Sequence, residues 1–129
     1  MTIVYEPIGH VVNAFREATD VEVMRASESE IVIAPELAPG LTGLTPGQRL
    51  LVVFHFHRSR GFTLLQHPRG DRSRPQRGVF ALRSPRRPNP IGVSVVELVA
   101  VAGNVLRVRG LDALDGTPVL DIKPAESEA

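Results

Sequence analysis

Apolar positions along this chain recur mainly at every second residue, the spacing that puts side chains on one face of a strand. Short β-branched stretches at Ile3–Val12 and Val21–Met24 read as strands, and so does Glu30–Ala34, which leads into a Pro/Gly-rich connection through Gly47. Arg49–His57 (RLLVVFHFH) is the strongest signal, a continuous apolar run that predicts a strand covered on both faces. Phe62–Gln66 and Gly78–Arg83 predict strands on either side of an arginine-rich segment. Gly92–Val101 and Val105–Arg109 enclose Ala102-Gly103-Asn104, a hairpin signal. After the turn signal Leu114-Asp115-Gly116, Thr117–Lys123 gives a last strand. Only Pro35–Leu44 offers a helical turn, and no segment has the periodicity of a long amphipathic helix.

Some seven short strands punctuated by turns predict an all-β barrel or sandwich. A doubly wound fold lacks its crossover helices here, and no G-x-G-x-x-G marks a Rossmann site. With 129 residues and 43% hydrophobic positions, the chain is expected to form one domain over 1–129, with Glu126–Ala129 a frayed tail. No apolar run approaches the roughly 18 residues of a membrane span, and no signal-peptide pattern follows Met1. The absence of cysteine removes disulfides, thiolate zinc sites and a thiol nucleophile, and fits a cytoplasmic protein.

Charge changes the picture. The net charge is only +1, yet residues 1–36 carry seven acids against Arg16 and Arg25. Residues 58–87 carry nine arginines (Arg58, Arg60, Arg69, Arg72, Arg74, Arg77, Arg83, Arg86 and Arg87) against Asp71 alone. Such a local excess favours an anionic partner, phosphate or nucleic acid, at Arg83–Arg87, while at Arg69–Arg77 a solvated, flexible loop is an equal alternative.

Three groups of residues carry candidate chemistry. His55 and His57 alternate on a strand and share a face, where two imidazoles line a pocket or hold a metal with His10 or His67. No acidic companion sits at a convincing spacing, so no metal is expected. Gly110–Pro124 holds Asp112, Asp115 and Asp121 among turn residues, where a carboxylate can bind ribose hydroxyls or balance a cation. RSPRRPNPIG, Arg83–Gly92, is too rich in proline for a helix or a strand interior. It reads as a stiff loop whose guanidinium groups, Asn89 and free carbonyls converge on a ligand. Residue chemistry alone thus yields an anion or nucleotide site on a β scaffold and leaves the reaction open.

GVFALRSPRRPNPIGVSVVEL (Gly78–Leu98) and LDALDGTPVLDIKP (Leu111–Pro124) resemble the two long signatures of the TsaA-like family, whose tRNA-modifying members are called TrmO. SEIVIAPELAPGLTGL (Ser29–Leu44), followed by the strand ending in Phe56-His57, is a third and weaker match. The resemblance implies a small antiparallel β-barrel, usually a homodimer, that binds S-adenosylmethionine in a non-Rossmann manner. It also implies methyl transfer to N6 of threonylcarbamoyladenosine beside the tRNA anticodon. Carried over by position, the cofactor residues are His57, Arg58, Arg83, Asn89 and the segment Leu114, Asp115, Gly116, Thr117 and Pro118. Arg86, Arg87 and Lys123 face the substrate, and His57 or Asp121 takes a proton from the acceptor.

The chain departs from the family pattern at three places. Thr19-Asp20-Val21 stands where many members carry Pro-Arg-Gln, Leu82 replaces a Thr, and Ala125 replaces a Tyr. The chain also ends where longer bacterial members continue into a further domain, so fewer RNA contacts are expected. The alternatives are the same barrel methylating a small molecule, and a non-catalytic barrel that binds nucleic acid or cofactor.

Overall fold

The computed structural model describes residues 1–126. Six strands close an antiparallel barrel: β1 (Gly9–Val12), β2 (Glu28–Ile33), β3 (Arg49–His55), β6 (Ile91–Ala102), β7 (Val105–Arg109) and β8 (Pro118–Pro124). Around the barrel the order is β1-β2-β7-β6-β3-β8. β4 (Leu65–Gln66) and β5 (Arg77–Gly78) form a separate two-stranded ribbon.

Alternation builds the interior. Leu50, Val52 and Phe54 of β3 point inward with Val96 and Leu98 of β6, Leu106 and Val108 of β7, Ile31 and Ile33 of β2, Val11 and Val119. Leu111 and Ala113, from the segment after β7, plug one end. Curvature comes from two register shifts, one between Val53 and Phe54 against β8, the other between Leu98 and Ala100 against β7. A bulge of this kind bends one strand relative to its partner, which a small closed barrel requires. β6 pairs with β3 through its first half and with β7 through its second. The β6–β7 turn is the hairpin read from sequence, with Gly103 at φ 61°. Asn104 ties that turn to β2, its side-chain amide donating to the Ile33 carbonyl at 2.6 Å.

Several sequence expectations need correction. Val21–Met24 is not a strand but part of α1 (Val21–Ala26), because the Asp20 carboxylate accepts the Glu22 N–H and caps a helix start. That cap falls within Thr19-Asp20-Val21, which here begins a helix. Of Ile3–Val12 only Gly9–Val12 is paired; Ile3, Val4 and Tyr5 are exposed and meet no partner strand. β3 alternates buried and half-buried positions rather than being buried on both faces, because Leu51, Val53 and His55 face the outside of the barrel. The predicted strands 62–66 and 78–83 shrink to β4 and β5, and Val79–Ala81 forms a 3-10 turn. Pro35–Leu41 is the helical turn expected between β2 and β3. Of the tail, Glu126 pairs with Arg49 at 2.6 Å, and 127–129 lie outside the described residues.

Candidate functional site

One end of the barrel gathers the end of β1, the start of β2, the end of β3 and the start of β8. The segment Gly110–Thr117 crosses it. Leu114-Asp115-Gly116-Thr117 is a tight turn closed by the Thr117 N–H on the Leu114 carbonyl at 3.1 Å, with the Thr117 hydroxyl donating to the same oxygen at 2.7 Å. Gly116 holds φ 83° at the third position, which a side chain would disfavour there. The Asp115 N–H donates to the Phe15 carbonyl and the Gly116 N–H to the Val11 carbonyl, at 2.7 and 2.8 Å. The turn is thereby fixed on β1.

Asn13 organises this corner and was not singled out from the sequence. Its backbone N–H donates to Asp115 Oδ1 at 3.0 Å, and its Nδ2 donates to Ser29 Oγ and the Ala113 carbonyl at 3.0 and 2.9 Å. Its own Oδ1 accepts the Phe15 N–H at 3.0 Å. Every donor and its acceptor oxygen are in use, across partners up to 102 residues apart. Asn13→Ala is expected to cost about 1–3 kcal/mol, because it strands these polar groups. Urea unfolding measures the loss, and a stability equal to wild type would mean the network is not formed.

His57 lies just beyond β3, half-buried, beside the turn. A Cβ placed on Gly116 would sit 3.9 Å from His57 Nε2, so the imidazole stands beside that backbone with room for no more than a small group between them. Burial pushes the His57 pKa below its ordinary value, and the positive charges of Arg58 and His55 push the same way. The corner thus favours the neutral form of the ring. The Arg58 guanidinium is turned to the Arg16 carbonyl, bracing β3 against the segment after β1.

The proline-rich segment 83–90 is fastened to the same end of β3. The Phe56 N–H donates to the Pro90 carbonyl at 2.8 Å, and Ser59 Oγ donates to the Pro85 carbonyl at 2.9 Å. Gln66 Nε2 donates to the Arg86 carbonyl at 2.6 Å. Arg87 spends its guanidinium on its own loop, donating to the Leu82 and Ser84 carbonyls at 2.9 and 3.1 Å. Arg83 and Arg86 are exposed. Asn89 and Pro118 line a cleft of about 330 Å³ together with Tyr5, His55, Ile91 and Leu120. That volume is in the range of small-molecule sites. Tyr5 and Leu120 join it only through the fold, and no motif marked them.

The structure thus brings His57, Arg58, the Leu114–Pro118 segment and the Arg83–Asn89 loop to one region. It does not bring Asp121 and Lys123 there. Both are exposed on the outer side of β8, opposite Val53 and Leu51, and pair with each other at 2.9 Å. Asp121 pairs in register four residues before His57, about 13 Å along a strand at ~3.3 Å per residue. Among the described residues no three His, Asp or Glu side chains are grouped to hold a metal ion.

The same assembly of barrel and loops occurs in known proteins. The tRNA-methyltransferase O N-terminal domain family matches residues 13–129. A probable S-adenosyl-L-methionine-binding protein of Pyrococcus abyssi is 42% identical over 128 residues, covering 96% of this chain and 68% of that protein. One from Methanothermobacter thermautotrophicus is 43% identical, covering 96% of this chain and 90% of that protein. The crystal structure of TrmO from Pseudomonas aeruginosa matches with a TM-score of 0.76 at 33% identity. It covers 98% of this chain, which spans 57% of that one. The match across the signature loop, the Leu114–Pro118 turn and the barrel that carries them places the chain in the TrmO N-terminal, or TsaA-like, family.

Proposed function

We propose that the protein is a cytoplasmic S-adenosylmethionine-dependent methyltransferase acting on tRNA, as a homodimer, at N6 of threonylcarbamoyladenosine beside the anticodon. The observation that carries this reading is the placement of His57 beside the Asp115-Gly116 turn, at the corner where the signature loop is anchored. The family match and the names of the relatives support the cofactor. The exposed apolar residues Ile91, Val93 and Val95 on the outside of β6 support a second copy as partner. Among the described residues no helix is long and apolar enough to cross a membrane.

The corner fits such a cofactor. Asp115 uses one carboxylate oxygen on the Asn13 N–H, and among the described residues the other meets no donor. A half-buried carboxylate with a free oxygen suits ribose hydroxyls or a nearby cation. Gly116 is exposed and carries no side chain to fill the space before His57. S-adenosylmethionine, when bound, supplies a methyl group activated on a sulfonium. The free carboxylate oxygen of Asp115 would hold it, and Arg83 and Asn89 would wall the site. The protein's main kinetic contribution is alignment, since fixing two reactants in line can remove several kcal/mol of barrier. The acceptor nitrogen is amide-like and would shed its proton as the N–C bond forms and the methyl–sulfur bond breaks, the sulfonium leaving as a neutral thioether. His57 Nε2 accepts that proton; Asp121, already paired with Lys123, is poorly placed to do so. Arg86, exposed beside the loop, suits a phosphate of the substrate.

The deciding assay incubates the protein with methyl-labelled S-adenosylmethionine and either threonylcarbamoyl-modified or unmodified tRNA. Label is expected in the modified tRNA alone. Asp115→Ala is expected to weaken cofactor binding about tenfold or more by calorimetry, since it removes a charge-assisted hydrogen bond. Cofactor binding with no label in any RNA would turn the reading toward a small-molecule acceptor. No cofactor heat at all would sink both.

A further inference from the structure

We propose that the β4–β5 ribbon is an RNA-binding element in its own right, with Phe80 stacking on an unpaired base and the arginines of the ribbon tip taking the adjoining phosphates. The proposal rests on the reading of RNA as methyl acceptor.

The charge on the ribbon is uncompensated. All five ion pairs among the described residues involve Arg49, Arg107, Arg109 or Lys123. The nine arginines between positions 58 and 87 contribute none. The single acid among them, Asp71, turns Oδ1 to the Ser73 N–H and hydroxyl, at 2.9 and 2.6 Å. Crowded like charges repel, and a polyanion is the partner that relieves this.

The tip is nonetheless built. The Gly70 N–H donates to the His67 carbonyl, the Asp71 N–H to that of Pro68, and the Arg74 N–H to that of Asp71. His67 Nδ1 closes the tip on the Arg74 carbonyl at 2.8 Å. Arginines on a preorganised turn lose less entropy on binding than arginines on a loose loop.

The aromatic evidence is independent of charge. Phe54 and Phe56 pack edge to face, with ring centroids 5.3 Å apart. Phe80 instead stands 79% exposed at the foot of β5, although its neighbour Val79 is 1% exposed. Phe62 at the foot of β4 is 49% exposed. An exposed ring whose chain neighbours include Arg77 and Arg83 combines the two features that bind single strands, positive charge and a face on which any base can stack. A duplex hides those faces, so an unpaired loop is the form recognised. The Gln66 and Ser59 hydrogen bonds to the signature loop root the ribbon beside His57. An RNA loop held on Phe80 would therefore lie next to the candidate methyl-transfer corner.

The test measures fluorescence anisotropy of the full chain with a labelled RNA hairpin and with a fully paired duplex, over a salt series. The hairpin is expected to bind more tightly than the duplex. Phe80→Ala should weaken hairpin binding about 5- to 150-fold, the range for one stacked base, and Phe80→Trp should restore it. Arg72→Ala with Arg74→Ala should reduce the salt slope by about 0.7 for each lost phosphate contact on the single strand. S-adenosylmethionine binding, measured alongside, should be unchanged in all three variants. Wild-type hairpin affinity in Phe80→Ala overturns the ribbon; tRNA methylation by the parent protein then leaves the enzymatic reading standing. Dissociation of a dimer by Phe80→Ala in sedimentation also overturns it, by marking the ring as a protein contact. A parent protein that neither binds the hairpin nor labels any RNA removes both proposals.

Discussion

Replacing His57 by glutamine is expected to lower kcat for methyl transfer by about 10²- to 10⁴-fold, the worth of a well-placed general base. Glutamine keeps a polar side chain of similar reach, so cofactor affinity should change only a few-fold. The pH profile sharpens the test. A base works in its deprotonated form, so the rate climbs as pH rises through its pKa and then levels. Burial first, then Arg58 and His55, push the His57 pKa below 6.5, which puts this climb on the acid side of that value. In the glutamine variant the limb should vanish. A limb surviving unchanged in the variant would show that another group takes the proton. The same shift has a sign for stability: the fold favours neutral imidazole, so this stabilisation is complete above 6.5 and declines as pH falls below it.

How much of this could be read from the residues depends on whether the controlling interaction is local. The strands were legible where apolar runs stand between turn residues, a local signal: β3, β6 and β7 fall on stretches read as strands. The hairpin at Gly103 was legible because two residues decide it. α1 was misread because its apolar residues look like a strand, and one capping carboxylate, Asp20, decided otherwise. β3 was expected to be covered on both faces, and its outward residues are in fact half-buried. Composition could not separate these cases, since apolar side chains also occur on protein surfaces.

The site divides along the same line. The stiffness of RSPRRPNPIG and the turn at Asp115-Gly116 are local, and both stood out in the sequence. Asn13 was silent because its role exists only once Ser29, Ala113 and Asp115 are folded around it. Arg87 illustrates the converse. Its position in a cationic motif suggested a ligand contact, and the structure spends it on the Leu82 and Ser84 carbonyls that hold the loop's own shape. A rigid loop needs such internal ties, because proline removes N–H donors and leaves carbonyls to be satisfied by side chains.

Alanine at Gly9 is expected to destabilise the protein by about 3 kcal/mol, toward the top of the overpacking range. Gly9 opens β1, the strand that closes the barrel between β2 and β8, and it pairs with Ile33 on one side and Val119 on the other. A Cβ there would lie 2.3 Å from the Val32 carbonyl oxygen and 3.0 Å from the Ile33 Cα. These are backbone atoms held by the sheet, so they can yield only if the β1–β2 seam opens. Gly92 provides a graded comparison. Its Cβ would meet the Phe54 and Phe56 rings at 2.6 Å, and rings can turn where backbone cannot, so Gly92→Ala should cost about 1–2 kcal/mol. Gly78 has open space around it and an ordinary extended backbone, so Gly78→Ala should stay within about 0.5 kcal/mol of wild type. Urea unfolding of the three variants measures the order. The sequence Gly9, Gly92, Gly78 in falling cost is what a barrel sealed between β1 and β2 demands. A Gly9→Ala protein as stable as Gly78→Ala would mean that the seam is open and the barrel is not closed.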